Sequence, residues 1–187
     1  MSYKNESLRK YLEDLAARSS APGGGSAAAL TASLGAALLS MVINFTLGKP
    51  KYEKYEKELK KMLDNSEKLR KEFLELVDLD VAAFKSKNTE DALKVPFMVA
   101  RLCFEGIKLC PPLIRKGNLN LISDVAVAAV LLESAFVSAS FNVEINLKSL
   151  KDEKFSIKIR KELGEKEKRI KRIRLLTEEK VGKIIRG

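Results

Sequence analysis

The chain has 187 residues, with 35 Lys and Arg against 25 Asp and Glu, a formal net charge of +10, two Cys, and no His, Trp or Gln. Without His there is no Ser-His-Asp triad, Cys-His pair, imidazole shuttle or His-liganded zinc site, so any proton transfer runs through carboxylates, amines, hydroxyls or water. Two Cys make no disulfide framework, and the opening MSYKNESLRKYLEDL lacks an apolar signal core, which sets the expectation of a reducing, cytoplasmic protein.

Helical period runs through the whole chain and no alternating strand pattern occurs, so the expected fold is an all-α, up-and-down-type bundle forming a single domain, residues 1–187. An opening helix is predicted over Glu6–Ser19. Ala21 to Leu47 then carries no charge. Its Pro22-Gly23-Gly24-Gly25 start and its many Ala, Ser and Gly fit the buried centre of a bundle better than a membrane span. Ala28, Ala32, Gly35 and Ala36, with Ala29, Ser33 and Ala37, let neighbouring helices approach closely. The helix itself is predicted over Ser26–Leu47.

A long amphipathic helix follows over Lys51–Lys85. Tyr52, Tyr55, Leu59, Met62, Ser66, Leu69, Phe73, Leu76, Asp80 and Ala83 alternate in steps of three and four, the seam of a core-facing helix. Asp80 stands where an aliphatic residue belongs. Burial there raises a carboxyl pKa unless a cation or several donors compensate, and a perturbed carboxylate is the natural acid/base in a chain without His. The alternatives are a helix-end Asp paired with an Arg, or an Asp exposed where the bundle opens. Asp78 falls off the seam and reads as solvated.

Pro96 is predicted to start a helix over Phe97–Leu109, since proline suits a first turn. Cys103 and Cys110, about 10 Å apart at helical rise, are too distant for a disulfide and read as buried thiols. Pro111-Pro112 and Gly117 mark a break. Leu121–Leu147 is a second strongly apolar helix bearing a polar line of Ser134, Ser138, Asn142 and Asn146; buried amides of this kind bridge helices or bind a polar ligand. Asp124 near its start reads from spacing as a cap.

The last helix, Asp152–Arg186, is highly charged. From Lys148 onward there are 15 Lys and Arg against 7 Asp and Glu, so nearly all the net charge lives here. An apolar stripe of Ile159, Leu163, Ile170, Ile173, Val181 and Ile184 implies docking on the body or on a partner subunit. The basic side lacks interleaved aromatics and alternates with Glu, the pattern of a solvated face rather than a nucleic-acid reader.

Three segments together resemble one family: Ala21-Pro22-Gly23-Gly24-Gly25-Ser26-Ala27-Ala28-Ala29; Asn44-Phe45-Thr46-Leu47-Gly48-Lys49-Pro50-Lys51-Tyr52; and Ser123-Asp124 with Asn142-Val143-Glu144-Ile145-Asn146-Leu147. They are similar to the cyclodeaminase domain of the formiminotransferase-cyclodeaminase family. The residue patterns above set the expectation of the cytoplasm and of no nucleic-acid or membrane partner; the resemblance implies an all-helical homodimer or higher homo-oligomer. It implies conversion of formiminotetrahydrofolate to methenyltetrahydrofolate with loss of ammonia, needing no metal or other cofactor beyond the folate substrate. Asp78-Leu79-Asp80-Val81-Ala82-Ala83-Phe84 matches a further family stretch and marks Asp80 as the principal acid/base, with Asp124 second. Asn44, Asn142 and Asn146 are placed on the pterin or folate amides. Gly23, Gly24, Gly25 and Ser26, with Lys49 or Lys51, are placed on a carboxylate of the glutamate tail. Between Phe84 and Pro96 this chain is shorter than the family pattern. The alternatives are a methenyltetrahydrofolate cyclohydrolase of the same family and a non-catalytic helical binding or assembly protein with a basic tail.

Overall fold

Ser7 accepts a hydrogen bond from the Lys10 N–H, and this cap starts helix α1 at Leu8; it runs only to Ala16, inside the predicted span. A computed structural model describes residues 2–86, 89–150 and 152–187; part of the shortened segment after Phe84, residues 87 and 88, lies outside the described residues. After the cis Ala21–Pro22 peptide, helix α2 runs Gly24–Asn44. A short 3-10 stretch, Pro50–Tyr55, leads into α3, Glu56–Ser86. Then follow α4 (Thr89–Ile107), α5 (Cys110–Lys116), α6 (Ile122–Leu147) and α7 (Glu153–Arg186). No strand occurs among the described residues, and the architecture is the expected all-α bundle.

Helices α2 and α6 form the centre. They lie antiparallel, because Gly24 neighbours Asn142 while Gly35 lies against Ala128 and Leu132. A Cβ on Gly35 would sit 3.0 Å from Leu132 Cγ, so the missing side chain is what permits this approach. Helix α3 packs on α2, α4 on α6, and α7 on α6. The predicted α3 seam is the buried face: Leu59, Met62, Ser66, Leu69, Phe73 and Leu76 are all buried, while Tyr55 and Asp80 are half-buried. Ser66 reaches Ser40 of α2 at 2.8 Å, satisfying two buried hydroxyls at once.

Two predicted boundaries differ for identifiable reasons. Pro96 does not open a helix but lies inside α4. Lacking an N–H, it leaves the Ala92 carbonyl, four residues back, without its helical donor. Asn146 of α6 supplies the replacement: its Nδ2 donates to Ala92 O at 2.6 Å. A tertiary bond thus tolerates a proline that local rules place at a terminus. Second, Cys103 and Cys110 belong to successive helices rather than one; both are buried and free, and burial pushes the Cys110 thiol up to about 12 and Cys103 higher still.

Asp152 caps α7 through the Phe155 N–H at 3.0 Å. Its stripe docks as expected at Ile159, Leu163, Ile170 and Val181, with a bidentate Arg101–Glu162 pair tying it to α4. Ile184 is the exception, 43% exposed where the helix runs out beyond its support. Helices α2 and α6 are both long and apolar enough to cross a bilayer by length and composition, but the most apolar window of α2 is 61% buried inside the bundle. That of α6 is only 39% buried, so an uncharged face remains open on it.

Candidate active site

A cleft of about 320 Å³ opens where the start of α2, the ends of α3 and α6, and the first turn of α4 converge. Its walls bring together Gly23, Gly24, Gly25, Asp80, Asn142 and Asn146, with Phe84, Ala92 and Ile145 as apolar neighbours. Asp80 is the one ionisable side chain among these lining residues.

The carboxylate lies at the N-terminus of α2. Its Oδ2 accepts the Ser26 N–H at 2.8 Å, one of the helix donors that has no partner inside α2. Burial raises the Asp80 pKa and the Ser26 N–H partly offsets this, so the net shift is upward. Among the described residues no cation lines the cleft to pull it back down. Gly25 is needed for a steric reason: a Cβ there would stand 2.1 Å from Asp80 Oδ1 and 2.7 Å from Cγ. The glycine turn therefore presents helix donors to a protein carboxylate, which already holds the Ser26 N–H expected to receive the substrate's glutamate tail.

The polar line of α6 divides. Ser138 donates back to Ser134 O, and Asn142 Nδ2 donates to Ser138 O at 2.9 Å. Asn146 is tied to Ala92 as described. Each amide nitrogen is engaged with a backbone carbonyl, which leaves the Asn142 and Asn146 amide oxygens as acceptors for a ligand's N–H groups.

Four expected site residues lie elsewhere. Asn44 ends α2, about 30 Å along the helix from Gly24. Lys49 and Lys51 follow it and are exposed. Asp124 lies in the first turn of α6, whose antiparallel course puts it at that same far end, and no side chain caps α6 there. Within one chain these four lie at the opposite end of the bundle from the cleft. Asp78, read as solvated, is half-buried and accepts from Ser2 Oγ at 2.5 Å and from Tyr3 N at 2.6 Å. Sequence reasoning also missed Tyr11, which is buried with its hydroxyl 3.2 Å from Ser26 Oγ; its one signal is an aromatic on the inner face of α1.

A larger groove of about 440 Å³ lies on the other side of the α3–α4 hairpin, walled by Leu76, Leu79, Val95 and Met98. Its lining is mostly apolar but includes Ser86, Asp91 and Lys94, whereas the Asp80 cleft sets a half-buried carboxylate beside two Asn amides and the glycine turn and is the candidate site. Among the described residues no three His, Cys, Asp or Glu side chains gather as a metal site would require.

A sequence model of the family described as Formiminotransferase-cyclodeaminase matches residues 7–88 and 85–165, two pieces that meet at the shortened segment after Phe84. The methenyltetrahydrofolate cyclohydrolase of Methylorubrum extorquens is 40% identical over 182 residues, covering 85% of this chain and 88% of that protein. The formimidoyltransferase-cyclodeaminase of Rattus norvegicus is 34% identical over 177 residues, covering 82% of this chain; the match spans 33% of that longer protein. The crystal structure of formiminotetrahydrofolate cyclodeaminase from Thermotoga maritima superposes with a TM-score of 0.92 at 30% identity, over 97% of this chain and 98% of that one.

Proposed function

The chain belongs to the formiminotransferase-cyclodeaminase family, and from that premise we propose that it works on the one-carbon unit of tetrahydrofolate at N5 and N10, with hydrolysis of the methenyl bridge as its reaction. The observation that carries this reading is Asp80, a half-buried carboxylate and, among the described residues, the one ionisable group lining the cleft. A methenyl bridge is a cation delocalised over N5, carbon and N10. A lone carboxylate beside it complements that charge and takes a proton from the attacking water. A C–O bond forms at the bridging carbon, the first water proton passes through Asp80 to N5 as the C–N5 bond breaks, the remaining hydroxyl proton leaves to solvent as the C=O forms, and the formyl group stays on N10. The Asn142 and Asn146 amide oxygens accept from pterin N–H donors. At about 320 Å³ the cleft suits the fused-ring head, with the glutamate tail outside. The reaction draws on no redox chemistry, and proton transfer through Asp80 suffices.

The cyclohydrolase reading rests on the Methylorubrum enzyme, which matches at higher identity than the rat enzyme and at nearly equal length. Cyclodeamination is the second reading, favoured by the close superposition on the Thermotoga enzyme. There N10 attacks the formimino carbon on N5, its proton passes to the formimino nitrogen, and the C–N bond to the amino group breaks as that group takes a further proton from Asp80 and leaves as ammonia. Purified protein is to be incubated with each folate while methenyl absorbance is followed. Accelerated loss from methenyltetrahydrofolate supports hydrolysis. Accelerated appearance from formiminotetrahydrofolate alone replaces it with cyclodeamination, and inertness toward both rejects the folate-enzyme reading.

We further propose a homodimer. The outer faces of α2 and α6 expose Leu34, Phe45, Val127, Val130, Phe141 and Ile145 between half-buried and small residues. The two helices are adjacent, about 30 Å and about 40 Å long, and α2 has no charged residue at all. A second copy presents the same uncharged face, as an isologous interface requires.

A further inference from the structure

The Ser26–Asp80 hydrogen bond joins α2 to α3, and each of its two ends is held separately by the N-terminal segment. On the α2 side, Tyr11 is 4% exposed and its hydroxyl lies 3.2 Å from the Oγ of Ser26, the residue whose N–H binds Asp80. On the α3 side, Asp78 stands two residues before Asp80 and accepts from Ser2 Oγ at 2.5 Å and Tyr3 N at 2.6 Å. The two holds are themselves connected. The Tyr3 and Tyr11 rings meet edge to face at 5.4 Å, and Tyr3 Oη donates to Asp14 of the Tyr11 helix at 2.9 Å. The family match begins only at residue 7, so Ser2 and Tyr3 lie outside it.

We propose that Tyr11 and Asp78, linked through Tyr3, are positioning residues: the N-terminal segment clamps α2 against α3 and thereby sets the distance from the Ser26 N–H to the Asp80 carboxylate. Neither touches the space where substrate sits, since neither lines the cleft. They act through the hydrogen bond. That bond decides how readily Asp80 gives up its proton, because an N–H donated to the ionised form favours that form. Around Asp80 the remaining groups are quiet: among the described residues no other group lining the cleft is ionisable, and on the α1 side the titratable neighbour is Tyr11, whose own pKa is raised by burial. Loosening the clamp without removing a charge, as Tyr11→Phe does, therefore has one electrostatic outcome. Asp80 loses part of the compensation that the Ser26 N–H supplies, and its pKa rises further.

The inference rests on the reading of Asp80 as the acid/base, and its test separates the two. The Asp80 carboxyl carbon is titrated by NMR in the wild-type chain, Tyr11→Phe and Asp78→Ala, without substrate. Both variants are expected to raise the Asp80 titration midpoint by about half to one unit, the size of losing one carboxylate hydrogen bond. In turnover, kcat is expected to fall about 5- to 20-fold with KM within about twofold, and the acid limb to move up in pH with the NMR midpoint. Asp78→Asn, which keeps acceptor oxygen for Tyr3 N, is expected to recover most of the loss. An unmoved midpoint in both variants, even with a lowered melting temperature, overturns the proposal and leaves the clamp a merely structural tie. A shifted midpoint in a protein that turns over neither folate sustains the clamp and removes the function proposed above.

Discussion

Replacing Gly25 by Ala tests the cleft geometry more sharply than removing a catalytic group. The added Cβ would lie 2.1 Å from Asp80 Oδ1, 2.7 Å from Cγ and 2.9 Å from Oδ2, whereas ordinary contact begins at 3.4 Å. The carboxylate must retreat by about 1.3 Å, and in doing so it stretches or breaks its 2.8 Å bond from Ser26 N. A misplacement of about 1 Å costs on the order of 10²-fold in rate. Helix propensity pulls the other way, since Ala is about 1 kcal/mol better than Gly in a helix, so the fold should survive. Gly24→Ala and Gly23→Ala are the controls: the first meets Asn142 at an ordinary 3.5 Å and the second meets nothing within 4 Å. The assay is turnover of methenyl- and formiminotetrahydrofolate by absorbance, alongside circular dichroism. About 100-fold loss in Gly25→Ala is expected, with both controls within about fivefold of wild type. Full activity in Gly25→Ala, or equal losses across the three, would refute the argument that Gly25 makes room for a working Asp80.

Asp80→Asn is expected to lower kcat by about 10²- to 10⁴-fold, the range of a lost general acid–base group. It should also raise the melting temperature at neutral pH. The folded pKa of Asp80 lies above its unfolded value, so its ionisation costs stability as pH climbs from the unfolded pKa through the folded one. The gain in Asp80→Asn should therefore vanish below about pH 3.8 and level off above the folded pKa; a gain of equal size at acid pH would show that burial does not perturb this group. Asn146→Ala leaves the Ala92 carbonyl without a donor and should cost about 1–3 kcal/mol in urea unfolding. Adding Pro96→Ala restores a helical N–H and should recover most of that, whereas strictly additive losses would break the link between them. Leu34→Asp together with Val130→Asp should turn a dimer into a monomer by light scattering; an unchanged dimer would place the interface elsewhere.

Periodicity made the helices and their inner faces readable, and with them the anomaly at Asp80. It works because a helix repeats every 3.6 residues whatever it packs against. What it leaves open is how helices are placed end to end. Asn44, Lys49, Lys51 and Asp124 share motifs with the glycine turn and with Asn142, yet α2 and α6 run antiparallel and carry them to the opposite end of the bundle. Pro96 was misplaced for a similar reason. Its local preference for a first turn is overridden by Asn146, a donor 50 residues away in sequence that lies on another helix. Tyr11, Ser26 and Asp78 form bonds that depend on where α1 crosses α2 and α3, and no spacing within one segment encodes that crossing. Asp78 looked solvated because its own helix points it off the seam; the N-terminal segment is what covers it.

The most direct test of the central claim is a crystal structure with a stable tetrahydrofolate analogue bearing a one-carbon bridge. The bridging carbon or its N5 is expected within about 3.5 Å of the Asp80 carboxylate, with the pterin against Asn142 and Asn146. An analogue seated in the apolar groove between Leu79 and Met98, or bound with its bridge remote from Asp80, would contradict the assignment.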